Sequence, residues 1–279
     1  MTSAKTAAAA APATWAATPG AHDAPVVEKK GMAFELDDGL GPRGRIGLIV
    51  LASDPTVEHE FRQIITMPDV ALVASRLYNE TEINLENLKA VEGDIRPAAE
   101  LLIPGSRLDV VAYGCTSGGM VMGEETVFAR IREARPDVAC TTPMFATFAA
   151  LRALEASRIC LIMPYIDAVA DTMRAYIQEH GFEVPVAGSW SEGDDLTVAR
   201  ITPDTIKRAV RDLGTSDLVD TVFVACSGLR VVKIVEELET EIGKPVTSSN
   251  HAMAWHCLRL AGYQDPVPGF GKLFRTPLA

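Results

Sequence analysis

The chain has 279 residues, 48% of them hydrophobic, and a formal net charge of −11, which suits one large or two small packed domains. It contains no run of eighteen apolar residues that would predict a membrane span, and its acidic balance has no Lys/Arg cluster to offset it, which argues against nucleic acid. Five cysteines at uneven spacing fit neither a disulfide framework nor a zinc site, so a reducing cytoplasm and a small-molecule partner are expected.

Residues 1–43 are expected to form a disordered tail. Lys5 before Ala7–Ala11 imitates a signal peptide, but alanine is weakly apolar and Pro12 interrupts the run. After a Gly/Pro entry, 46–51 is a continuous apolar run of strand length, the pattern of a strand buried on both faces. A helix over 57–65, a strand over 70–73, a helix over 85–102 and a strand over 110–113 follow. That strand closes on Gly114-Cys115-Thr116-Ser117-Gly118-Gly119, and a helix over 124–133 comes next. The plan then repeats. A strand over 159–163 ends on Pro164-Tyr165-Ile166-Asp167, and a helix over 168–180 stops at Gly181. A strand over 184–187 and a helix over 203–213, capped by Thr202 with Pro203 behind it, lead to a strand over 222–225 that closes on Cys226-Ser227-Gly228. A helix over 231–241 is ended by Gly243.

The repetition extends to residues. Arg45-Ile46-Gly47-Leu48-Ile49 returns as Arg158-Ile159-Cys160-Leu161-Ile162, and the approach to Cys115 returns as the approach to Cys226. Residues 141–152 likewise return as 248–259, in the same order and at nearly the same separation. The predicted fold class is therefore α/β, with two similar Rossmann-like halves and mainly parallel sheets related by a pseudo-two-fold, and with the active site in the cleft between them. The expected boundaries are 44–150 for the first half, joined by 251–279, and 151–250 for the second.

Cys115 and Cys226 occupy equivalent strand-end loops, where ligands bind in parallel sheets. Each precedes a predicted helix in an amide-rich loop of small residues, so at least one thiol is expected below the usual thiol pKa. Cys140, Cys160 and Cys257 have no cysteine at their repeat mates and are read as structural. His251 and His256 are five apart and share no helix face, so no metal pair is expected; His256 is read as a core residue, and His59 and His180 as surface positions.

Tyr113-Gly114-Cys115-Thr116-Ser117-Gly118, the Pro164–Asp167 turn, Ala225-Cys226 with Leu229-Arg230, and Gly243–Asn250 with Ala254-Trp255-His256 resemble the aspartate/glutamate racemase superfamily. The branch is that of maleate cis-trans isomerase and arylmalonate decarboxylase. The resemblance implies chemistry without metal or organic cofactor, carried by Cys115 and Cys226 on opposite sides of the substrate. One would be nucleophile or base and the other acid. Thr116, Ser117, Ser227, Gly228 and the Tyr165 hydroxyl would bind a substrate carboxylate. Arylmalonate decarboxylases are similar but keep only the second cysteine, which makes decarboxylation the weaker alternative.

Two positions depart from the maleate isomerase pattern. Asp54 and Asp195 stand where those enzymes carry asparagines that hold the two carboxylates of the dianion. An ionised aspartate cannot donate a hydrogen bond and repels a carboxylate, so both are read as substrate-binding residues for an ammonium or amidinium group. The bland readings are a turn or helix-cap residue for Asp54 and a solvated loop charge for Asp195. Leu51-Ala52-Ser53-Asp54 is similar to the ectoine- and hydroxyectoine-utilisation proteins of the same family. The expectation is a two-cysteine isomerase, racemase or epimerase of a small cationic carboxylate in that catabolism, working as a homo-oligomer. Maleate isomerisation and a non-catalytic ligand-binding protein are the alternatives.

Overall fold

The computed structural model of the chain describes residues 27–278. Residues 27–37 form a unit by themselves with neither helix nor strand; the expected tail falls largely on residues 1–26, outside the described residues. Among the described residues, all regular structure lies in the compact unit Asp38–Ala279.

That unit holds two four-stranded parallel sheets. In the first, β1 (Gly44–Leu51), β2 (Val70–Leu77), β3 (Val110–Tyr113) and β4 (Ala139–Thr141) lie in the order β2-β1-β3-β4. In the second, β5 (Arg158–Met163), β6 (Glu183–Ser189), β7 (Thr221–Val224) and β8 (Val246–Ser248) repeat that order as β6-β5-β7-β8. The repeat reaches individual hydrogen bonds. The Arg45 N–H donates to the Asp109 carboxylate at 2.8 Å, and the Arg158 N–H to Asp220 at 2.9 Å. At the other end of the same strand pairs, Gly114 N–H meets the Ile49 carbonyl and Ala225 N–H meets the Ile162 carbonyl, each at 2.8 Å. The two central strand pairs therefore run in the same register, which brings the segments after β3 and β7 out at corresponding strand ends.

Helices fill the connections because parallel strands require crossovers. They are α1 (Val57–Ile64), α2 (Leu85–Ala90), α3 (Glu92–Glu100), α4 (Thr116–Met122), α5 (Glu124–Ala134), α6 (Pro143–Ala153), α7 (Asp167–Glu179), α8 (Asp195–Val198), α9 (Pro203–Gly214), α10 (Val235–Ile242) and α11 (Ser249–Leu260). The punctuation read from sequence acts as expected at three ends. The Thr202 hydroxyl caps α9 by accepting from the Thr205 N–H, and Gly181 and Gly243 take the positive φ that stops α7 and α10. α11 packs on α6 and α1 in an apolar cluster that includes Phe61, Ala146, Trp255 and Phe274. β1 and β5 are buried along almost their whole length, as their uninterrupted apolar runs require.

The structure corrects several elements. The helix expected over 85–102 breaks at Val91 into α2 and α3. The Gly118-Gly119 segment, expected as a loop, is the helix α4, and β4 and β8 were not anticipated as strands because three residues carry no readable period. The helix expected from 231 begins at Val235, so Cys226 is followed by a turn. No helix among the described residues is long and apolar enough to cross a membrane.

Candidate active site

The loops after β3 and β7 meet in a cleft lined by Cys115, Thr116, Ser117, Tyr165, Cys226, Ser227, Gly228, Asp54 and Asp195. The nine candidate residues are thus brought together from four strand-end segments and the start of α8.

Cys115 ends in an extended conformation as the N-cap of α4, and its sulfur accepts the Gly118 N–H at 3.3 Å. Gly118 has to be glycine for this: a Cβ there would stand 2.9 Å from both the Cys115 sulfur and the Tyr113 hydroxyl. Cys226 is held differently. Its φ of +111° is one that non-glycine residues adopt at a cost of about 1–3 kcal/mol. Its N–H donates to the Ser249 hydroxyl at 3.0 Å, and its sulfur accepts the Gly228 N–H at 3.4 Å. Both thiols are buried.

The expected drop in thiol pKa does not occur. Burial first and the charge of Asp195 second push Cys115 up to about 12, and the same two causes push Cys226 further up. The Gly118 N–H and Ser117 hydroxyl at Cys115, and the Gly228 N–H and Tyr165 hydroxyl at Cys226, do not offset desolvation. Burial thus holds both sulfurs toward the thiol form.

Three hydroxyls in the cleft, Tyr113, Thr116 and Tyr165, are buried and make no hydrogen bond within the protein. Tyr113 lies beside Cys115, and Tyr165 lies beside Cys226 and Ser117. Buried hydroxyls without partners are rare, and three converging on one cleft mark the place where a ligand supplies acceptor oxygens. Tyr113 was passed over from sequence although it stands two residues before Cys115; its repeat mate is not a tyrosine, so the duplication that singled out the cysteines gave it no weight.

The two aspartates differ. Asp54 does what a cap residue does: one carboxylate oxygen accepts from the Thr56 and Val57 N–H groups at 2.6 and 2.9 Å, at the start of α1. Burial nevertheless raises its pKa. Asp195, the first residue of α8, accepts from the Ser53 hydroxyl at 2.8 Å and from the Asn79 amide at 3.3 Å. Burial, with the charge of Asp54 among the added causes, pushes it up to about 6, so it is not a solvated loop charge. Ser53 and Asn79 were missed because a hydrogen-bonding serine and asparagine carry no motif. Glu80 and Glu82 also line the cleft, whereas no Lys, Arg or His among the described residues does. The cation acting on Asp54, Arg76, is engaged by the Leu51 and Asp54 carbonyls and by Glu58.

The remaining candidates stay outside this cleft. Cys140, Cys160 and Cys257 are buried elsewhere. His256 is buried in the core with Nδ1 2.9 Å from the Thr141 hydroxyl, while His59 and His180 are exposed. No group of three or more metal-ligating side chains is assembled among the described residues.

A family model described as arylmalonate decarboxylase matches residues 46–274. The chain belongs to this family. Within it, the maleate isomerase of Nocardia farcinica is 28% identical over 245 residues, covering 84% of this chain and 97% of that protein. The maleate isomerase of Pseudomonas putida is 29% identical over 243 residues, covering 82% and 96%. Among solved structures, a Nocardia farcinica maleate cis-trans isomerase variant with a covalently bound succinylcysteine intermediate superposes with a TM-score of 0.76 at 26% identity, over 83% of this chain and 98% of that one. The two-sheet α/β architecture is thus that of the maleate isomerase structures.

Proposed function

We propose that this arylmalonate decarboxylase family member is a two-thiol cis-trans isomerase of a small unsaturated carboxylate, with maleate the first compound to test. The observation that carries the reading is the pair Cys115 and Cys226 in one cleft, with the unpartnered hydroxyls of Tyr113, Thr116 and Tyr165 between them. The likeness to maleate isomerases over nearly their full length supports the reaction type.

Cys115 is assigned the nucleophile, since it alone caps a helix whose N–H groups favour the thiolate. Its sulfur adds to one alkene carbon as the π bond breaks, and the electron pair moves onto the neighbouring carboxylate. Tyr113, Thr116 and Tyr165 face the oxygens on which that charge develops. The thiol proton passes to the acidic pair Asp54 and Asp195, both held toward protonation. Cys226 can protonate the carbanionic carbon and take the proton back. Half a turn about the new single bond and reversal of the addition expel the thiolate and leave the trans alkene, with no net gain or loss of atoms.

A second reading concerns the substrate. The cleft presents Asp54, Glu80, Glu82 and Asp195 and, among the described residues, no cation, which favours a carboxylate whose other end is an ammonium, an amidinium or another hydrogen-bond donor over a dianion. Ectoine or hydroxyectoine catabolism, the narrower expectation from sequence, has no counterpart among the relatives above, and maleate isomerisation has the better support. Proton NMR of the protein incubated with maleate tests the main reading: appearance of fumarate, lost on Cys115→Ser, is expected. Absence of conversion of maleate and of every other cis-unsaturated acid offered would overturn it. Calorimetric titration with maleate and with zwitterionic acids decides the second reading, which tighter binding of maleate would remove.

A further inference from the structure

Behind the second cysteine lies a buried carboxylate that neither lines the cleft nor pairs with a cation. Glu60, on α1, is 2% exposed. One of its oxygens accepts from the Val231 and Val232 N–H groups at 2.6 and 2.8 Å, and the other accepts from the Asn250 side-chain amide at 2.8 Å. The same amide nitrogen donates to the Ser227 carbonyl at 2.7 Å. Two acceptors, a carboxylate and a carbonyl, face that nitrogen, so chemistry fixes the orientation of the amide: only its NH2 satisfies both. The Asn250 carbonyl oxygen is left buried without a partner.

The consequence falls on Cys226. Its φ of +111° is not one the chain adopts unaided, and no helix cap holds the loop as α4 holds Cys115. The loop is pinned from α1 through the N–H groups of residues 231 and 232, and from α11 through Asn250 at the Ser227 carbonyl. We infer that Glu60 is a positioning residue for the second thiol: by holding the N–H groups that follow the Cys226 loop and orienting Asn250 onto the Ser227 carbonyl, it fixes where the Cys226 sulfur points in the cleft. A carboxylate is required for this. Glutamine could serve the two backbone N–H groups with its oxygen, but its NH2 would then face the Asn250 NH2. Turning Asn250 over to relieve that contact would take the donor away from Ser227.

The inference rests on the two-thiol reading, and the experiment separates the two. Glu60→Gln, Asn250→Ala and the double variant are compared with wild type for kcat and KM on maleate, and for the alkylation rates of Cys226 and Cys115 by iodoacetamide with mass-spectrometric localisation. Expected are a fall in kcat of about tenfold or more with KM changed less than about threefold, a changed Cys226 alkylation rate with Cys115 unaffected, and a double variant no worse than the poorer single one, because both break the same connection. A Glu60→Gln protein with wild-type kcat and Cys226 reactivity, or single losses that multiply in the double variant, would overturn the inference. If wild type converts no unsaturated acid, the proposed function fails while the alkylation rates still decide the role of Glu60. If Glu60→Gln does not fold, Asn250→Ala decides it alone, since that change leaves Glu60 on its two backbone donors: unchanged Cys226 reactivity there counts against the inference.

Discussion

The two cysteine loops occupy the same place in two sheets of the same strand order, yet they are held in position by different means. Cys115 is fixed locally: an extended residue caps the helix that follows it, a glycine three residues on leaves room for the sulfur, and the nearest N–H of that helix points at it. Cys226 is fixed from a distance, with a strained backbone pinned by Ser249, Asn250 and Glu60, residues 23 or more positions away. Duplication has kept the strand ends and let the supports diverge. A nucleophile gains from a helix N-terminus, whereas a proton donor needs only to be aimed, so the divergence matches a division of labour between the thiols.

The harshest way to break the comparison is to remove each sulfur. Cys115→Ser and Cys226→Ser should each lower kcat by about 10³-fold or more while leaving the fold intact, since serine is nearly isosteric and its hydroxyl can keep the N–H contacts that the sulfurs make. Near wild-type turnover in either, measured by conversion of the substrate found in the NMR assay, would end the two-thiol mechanism.

A gentler change tests whether local and distant support differ. Gly118→Ala puts a methyl 2.9 Å from the Cys115 sulfur and the Tyr113 hydroxyl, while Gly228→Ala puts one 3.6 Å from the Cys226 sulfur and 3.3 Å from Val198. The first should cost about 10- to 100-fold in kcat, in line with displacement of a reacting atom by a fraction of an ångström to an ångström. The second should cost less than about fivefold by the same reasoning. Equal losses would mean that crowding at the two loops is not what distinguishes them.

Much of this layout was legible before any coordinates. The apolar runs at 46–51 and 159–163 could only be doubly buried strands, and the repeat of Arg45–Ile49 at Arg158–Ile162 implied the common strand order that the sheets display. The repeat likewise picked Cys115 and Cys226 out of five cysteines. What stayed hidden is tertiary. Glu60 reads as one more charge on an amphipathic helix, and its burial depends on α11 arriving from almost two hundred residues away. At least one thiol is expected from sequence to be acidified because loop composition shows amides but not depth: burial and Asp195 reverse the sign. Asp54 shows the converse, since its capping bonds to Thr56 and Val57 follow from local sequence even though its place in the cleft does not.

Between these extremes lies Ser249→Ala, which removes one distant support without touching the cleft. The Cys226 N–H would lose its acceptor in a buried position, at about 1–3 kcal/mol. Chemical denaturation should show that loss, kcat should fall by less than about tenfold, and Cys115 alkylation should be unchanged. A fall in Cys115 reactivity as well would mean that the two loops are coupled through the cleft and not independently supported.

The smallest effect expected is one of pH, and its sign distinguishes the acidic wall of the cleft from its thiols. Asp195 is held up to about 6 by burial, with the charge of Asp54 adding to it. Below that pH it is a neutral hydroxyl donor that can bind a substrate carboxylate; above it, it is an anion that repels one. The KM for maleate should therefore rise as pH increases through about 6, and a bound dianion shifts the rise upward because it too favours the protonated form. Proton uptake from Cys115 acts in the opposite direction and on kcat, since only the ionised Asp195 can accept the thiol proton. Asp195→Asn should abolish the rise in KM, flatten the pH dependence of kcat near 6 and lower KM at pH 8 by less than about tenfold. A zwitterionic substrate should show the reverse, binding more weakly once Asp195 is protonated or replaced. A KM for maleate that stays flat across this range in the wild-type protein would mean that Asp195 does not face the substrate.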